Sequence, residues 1–160
     1  MKSPGQLVRL FGVSDEVVGS ALFFKPILAK EGNSIVNRVF QHLLSFQRVH
    51  ALLKCQDLNL LKARQKDYWA KLFECRFDGE YLQRVRGVAA PSLRKCLPIE
   101  VFVASQSLFE GEALRLAQIH FTGDRLAKVS SAITRIVYLD TAIASKFYIR
   151  EATRPPVEKL

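Results

Sequence analysis

The sequence contains no apolar run approaching the roughly 20 residues that a bilayer-crossing helix needs, so no membrane partner is expected. Its first residues, Met1 to Gly5, carry a charge but no continuous apolar stretch ahead of a small-residue cleavage site. A secretory leader is therefore not expected, and the chain reads as cytoplasmic. Cysteine is scarce: Cys55, Cys75 and Cys96 are an odd number and lack metal-ligand spacing. They read as reduced thiols, which excludes a disulfide framework and agrees with a cytoplasmic setting. Acidic residues are few, 15 against 24 lysines and arginines, which leaves a net charge of +9. Such a surplus can attract an anionic partner. Here the basic residues are scattered, Lys62, Arg64, Lys71, Arg94, Lys128 and Arg135 among them, and no recognition-helix or RNA-binding motif accompanies them. A solvated surface is the better reading, and no nucleic-acid partner is expected. Internal repeats and low-complexity segments are absent, and strand-like alternation nearly so.

What is present is helical. At 160 residues, 49% of them hydrophobic, the chain is long enough for one domain with a substantial core. Ser14-Asp15-Glu16 stands ahead of an apolar run as a helix start, and Pro26 predicts that this first helix breaks or restarts. Ile35, Val36, Val39, Phe40, Leu43 and Leu44 recur at three- and four-residue spacing, followed by a short piece around Val49 to Leu53. From Asp57 to Phe73 a face forms of Leu58, Leu61, Gln65, Tyr68, Trp69 and Leu72. Asp78-Gly79-Glu80 opens a helix through Tyr81, Leu82, Val85 and Val88. Pro98 opens a long one from Val101 to Ile119. After Gly123-Asp124 a last helix repeats the period through Leu126, Val129, Ile133, Ile136, Val137, Ile143, Ala144 and Phe147. The expectation is an all-α, globin-like fold of helices packed in two layers, with the last two helices long. It occupies residues 7–150, with tails at 1–6 and 151–160, the second marked by Arg154-Pro155-Pro156.

Several segments, taken in order, resemble the globin-coupled sensor (protoglobin) family. Ile35 to Leu44 resembles its second helix, and Leu61 to Phe73 its distal helix. Phe77 to Arg86 resembles the entry to its proximal helix, Leu97 to Phe102 its Leu-x-Pro-x-Trp-Tyr segment, and Ile133 to Asp140 its last helix. The resemblance runs from Leu7 to Tyr148. It implies haem, held in the family by a histidine within the pattern Arg-Ile-(x)n-His-x-Arg-Ile-Gly-Leu. Matching Leu93-Arg94-Lys95-Cys96-Leu97 to the end of that pattern places Ser92 where the histidine stands. A hydroxyl is a poor iron ligand beside a neutral imidazole. Pro91 precedes it and disfavours an unbroken helix, since the ring crowds the carbonyl of Gly87. Phe40 stands where many members carry the tyrosine that hydrogen-bonds bound oxygen, and a phenyl ring has no donor. The chain reads as a degenerate member, and no cofactor is expected to be held in the usual way.

His42 falls beyond the core stripe, His50 in a connecting segment and His120 at a helix end, so each reads as a surface histidine. Cys96, one turn after Ser92, reads as an inert thiol, with a haem thiolate as the alternative. The vacated pocket is expected to be lined by Val36, Phe40, Leu61, Gln65, Trp69, Val88, Leu97, Phe102 and Ile136, with Ser92 at the lost iron site. Side chains fill it, or it holds an apolar molecule. Gln65 either needs a partner within that pocket or sits half-exposed at its edge.

No metal site, nucleophile–base pairing, carboxylate pair or phosphate loop is legible, so an enzyme is not expected. The reading is a cytoplasmic sensor-globin signalling or interaction module. Family dimers form through the last two helices, so a homodimer through 99–120 and 125–148 is implied, with signal passing to a separate output protein. The alternatives are a haem-based sensor of O2, CO or NO with an unconventional iron ligand, and a binder of an apolar small molecule.

Overall fold

The computed structural model describes residues 4–54, 56–88 and 98–152, and among these it holds seven α-helices and no strand. They are α1 (Pro4–Leu10), α2 (Asp15–Leu44), α3 (Gln47–Leu53), α4 (Leu58–Leu72), α5 (Gly79–Val88), α6 (Ile99–His120) and α7 (Gly123–Ala152). None is long and apolar enough to cross a membrane.

The helix starts follow local chemistry. The Ser14 hydroxyl accepts from the Val17 amide at 3.4 Å, and Asp15 and Glu16 place negative charge at the positive end of α2. Asp57 caps α4 by accepting from the Leu60 amide at 3.1 Å, and Asp78 precedes α5 and accepts from Tyr81 at 3.0 Å. Pro98 caps α6. The α1–α2 turn needs Gly12, whose φ of 64° lies in the left-handed region. Its carbonyl and that of Phe11 accept from the Arg135 guanidinium of α7 at 3.1 and 3.3 Å, and a Cβ at Gly12 would collide with that guanidinium.

The expected break at Pro26 does not occur. α2 runs through it for 30 residues, about 45 Å at helical rise. Pro26 frees the carbonyl of Leu22, a residue on the exposed side of the helix, where solvent can satisfy an unpaired acceptor. The opposite side, Ala21, Phe24 and Leu28, is buried on both flanks of the proline, and this packing holds the helix as one piece.

α2, α6 and α7 pack on one another, α4 crosses α2, and α5 lies against α7. The α2–α4 crossing is close at Gly32, where an added Cβ would stand 3.1 Å from Lys66 Cγ. Lys66 and Lys62 fasten the crossing by donating to Asn33 and Asn37 at 2.9 and 3.0 Å. Inside, Phe24, Phe73, Phe109 and Trp69 form a run of ring contacts that ends in Trp69 stacked on Phe109 at 4.3 Å. Burying each such side chain stabilises the fold by about 1.5–3 kcal/mol. The fully buried Ile133 and Ile136 of α7 and Val39 of α2 extend the core.

Candidate functional site

The interior is not wholly apolar. Asp140 of α7 is completely buried, on the same stripe as Ile133, Ile136, Val137, Ile143 and Phe147. Three other helices each bring it a donor. The Tyr68 hydroxyl on α4 reaches its two oxygens at 2.7 and 2.9 Å, and the Tyr81 hydroxyl on α5 donates to Oδ1 at 2.9 Å. Gln106 Nε2 on α6 donates to Oδ2 at 2.6 Å. Gln106 Oε1 accepts in turn from Trp69 Nε1 at 2.8 Å. Neighbouring residues on α4, Tyr68 and Trp69, thus serve two members of one cluster, and a single carboxylate joins four helices.

Burial pushes the Asp140 carboxyl up to about 6, against the pull of its three hydrogen bonds and the Arg84 charge. Burial also drives the Tyr68 and Tyr81 hydroxyls upward, and the Asp140 charge adds to it. Both phenols therefore stay protonated and act as donors.

Tyr68 connects this cluster to a cleft of about 380 Å3 between α4 and α5. Leu61, Arg64, Gln65 and Asp67 line it from α4, and Arg84, Gly87 and Val88 from α5. Gln65 is half-buried, and its Nε2 is shielded from solvent with no hydrogen-bond partner. A second hollow of about 430 Å3 lies between the end of α2, α3 and α6, lined by His42, Phe46, Val49 and Val101 among others. Arg48 and Glu100, both on its lining, form an exposed pair at 3.3 Å.

The residues expected to line one pocket are divided between two environments. Leu61, Gln65 and Val88 face the α4–α5 cleft. Val36, Phe40, Trp69, Phe102 and Ile136 are buried in the core, with the Trp69 indole bonded to Gln106 and stacked on Phe109. Ser92 and Leu97, with Pro91 and Cys96, lie outside the described residues. His42, His50 and His120 are exposed, and none lines the cleft.

Whether the described residues suit haem turns on an axial ligand. The cleft contains no histidine, cysteine or methionine among them. Its one oxygen ligand of a type known for haem is the Tyr68 phenol, which would have to ionise. That hydroxyl is committed to Asp140, and burial with the carboxylate charge holds it protonated. Cys75, beyond α4, is no better, because burial pushes its thiol up to about 11 despite the nearby Lys25 charge. Among the described residues lining the cleft, none is a ready axial ligand for haem.

A family model described as Protoglobin matches residues 6–154. The chain belongs to the protoglobin family. Among solved structures it is similar to the globin domain of the Geobacter sulfurreducens globin-coupled sensor, with a TM-score of 0.83 and 17% identity over 92% of this chain and 99% of that one. At that identity the likeness shows the fold alone, an all-α sensor-globin fold. No curated protein matches the chain.

Within this protoglobin fold the Asp140 cluster went unread in the sequence, although it left a mark there. An acid on the buried stripe of α7 and a glutamine between Phe102 and Phe109 of α6 both interrupt otherwise apolar faces. A buried polar residue on such a face requires partners, which is a searchable signal.

Proposed function

We propose that this protoglobin is a sensor-type signalling module that works without haem held in the usual way. The observation that carries the reading is the Asp140–Tyr68–Tyr81–Gln106–Trp69 cluster, in which the chain's own side chains tie α4, α5, α6 and α7 together around a buried acid. Ser92 at the family's iron position and Phe40, without a donor, point the same way. The solved relative is a globin-coupled sensor by name, and it supplies the signalling half of the proposal. Val103 and Ile119 of α6 and Tyr138 and Ile149 of α7 are exposed apolar side chains on the two helices through which a homodimer would form. Such a dimer would pass its signal to an output protein in the cytoplasm.

Titration of the purified protein with haemin, followed by absorption, tests the proposal. The expected result is no Soret band that grows in proportion to protein. A stoichiometric band, lost when one residue such as Cys96 is replaced, would establish the alternative, a haem-based gas sensor with an unconventional ligand.

A further inference from the structure

We propose that the cleft between α4 and α5 binds a small monocarboxylate with an apolar body, its head group taken by Gln65, Arg64 and Arg84. The proposal rests on the haem-independent reading and gives the cleft an occupant chemistry. The cleft has donors in excess. Gln65 Nε2 is removed from water with no acceptor in reach, an arrangement that costs free energy until an acceptor arrives. Arg64 has no ion-pair partner among the described residues, and the ion-pair contact of Arg84 to the exposed Glu80 is long at 3.9 Å, although its charge also acts on Asp140. The one carboxylate on the lining, Asp67, is already paired with Lys71 at 2.9 Å. Asp140, behind Tyr68, is saturated by its own three donors. An incoming anion therefore meets one unsatisfied amide, two guanidinium groups and no uncompensated acid among the described lining residues. A planar carboxylate matches a guanidinium fork.

The remainder of the cleft requires an apolar body. Leu61 and Val88 are half-buried on its walls, beside Tyr68. Its volume, about 380 Å3, lies within the range of small-molecule sites. Gly87 adds a specific handle: a Cβ built there meets nothing within 4 Å among the described residues, so a larger side chain at this position adds bulk to the cleft lining.

The test is calorimetric titration of the full chain with octanoate, 1-octanol, acetate and chloride, alongside Gly87→Leu and Gln65→Leu. Octanoate should bind, with octanol weaker by about tenfold or more, as loss of a charge-assisted hydrogen bond implies. Acetate and chloride should not compete. Gly87→Leu should lose octanoate binding while melting no lower than the parent, since glycine is the poorer helix former. Gln65→Leu should reduce octanoate affinity by about tenfold and leave octanol binding unchanged. Octanol binding as tightly as octanoate, competition by acetate or chloride alone, undiminished binding by Gly87→Leu, or no octanoate binding would each overturn the proposal. Haemin titration of the same samples separates the two readings. A stoichiometric Soret band defeats the haem-independent function, whereas silence toward both haemin and octanoate defeats only the carboxylate site.

Discussion

The two halves of α7 are anchored by different physics. Its first half presents Val129, Ala132, Ile133 and Ile136 to the interior, all fully buried and all apolar. Its polar ties there are peripheral: Lys128 to Glu16, Thr134 to Glu110, and Arg135 to the α1–α2 turn. The second half places a carboxylate in the core and is held through it to α4, α5 and α6. Tyr148 adds a hydroxyl bond to the Val88 carbonyl at 3.3 Å, and Arg86 lies over the Phe147 ring at 5.2 Å. Apolar contact is non-directional and tolerates adjustment, whereas a saturated buried acid fixes the relative placement of four helices at once. The half joined through Tyr68 to the α4–α5 cleft is thus the one whose geometry is specified by hydrogen bonds.

The contrast is sharpest under substitution. Asp140→Ala removes the acceptor from Tyr68, Tyr81 and Gln106 together, and should cost about 3–5 kcal/mol by chemical denaturation, since each donor stays buried. Ile133→Ala in the first half should cost about 2–5 kcal/mol through lost burial and a residual cavity. That cost should not vary between pH 5 and 7. A cost for Asp140→Ala below about 1 kcal/mol would show that the acid does not organise its half.

A smaller effect separates the halves by pH. The Asp140 carboxyl lies near 6 in the fold, above its ordinary 3.8, so the folded chain takes up a proton that the unfolded chain refuses. The resulting stabilisation is fully present below the unfolded value and is lost as pH rises through 6. Between pH 7 and pH 5 the parent should therefore gain about 1 kcal/mol relative to Asp140→Asn, which cannot titrate there. Equal pH profiles for the two proteins would remove Asp140 as the source.

The same division explains what could be read from the sequence. The helices of the apolar half follow from periodicity: Ile35, Val36, Val39, Phe40 and Leu43 lie buried on α2 as their spacing demands. The cap at Ser14 and the start at Pro98 likewise depend on neighbours only a few residues away. Pro26 misled because its local cost was weighed without the packing of Ala21, Phe24 and Leu28 around it. The Asp140 cluster escaped because its bonds join residues 34, 59 and 72 positions apart, and periodicity counts apolar residues without asking why an acid interrupts them. Trp69 and Gln65 share a face of α4 by spacing, with Gln65 either inside or at its edge, but spacing does not supply partners: Trp69 has Gln106, and the half-buried Gln65 leaves its Nε2 without one.

Arg135 carries a consequence for biosynthesis. Its guanidinium closes on the Gly12 carbonyl across 123 positions of sequence. At ribosomal rates of about 5–20 residues per second, the opening turn waits several seconds or more before its clasp has even been made. Until then the first helix must rely on nearer contacts.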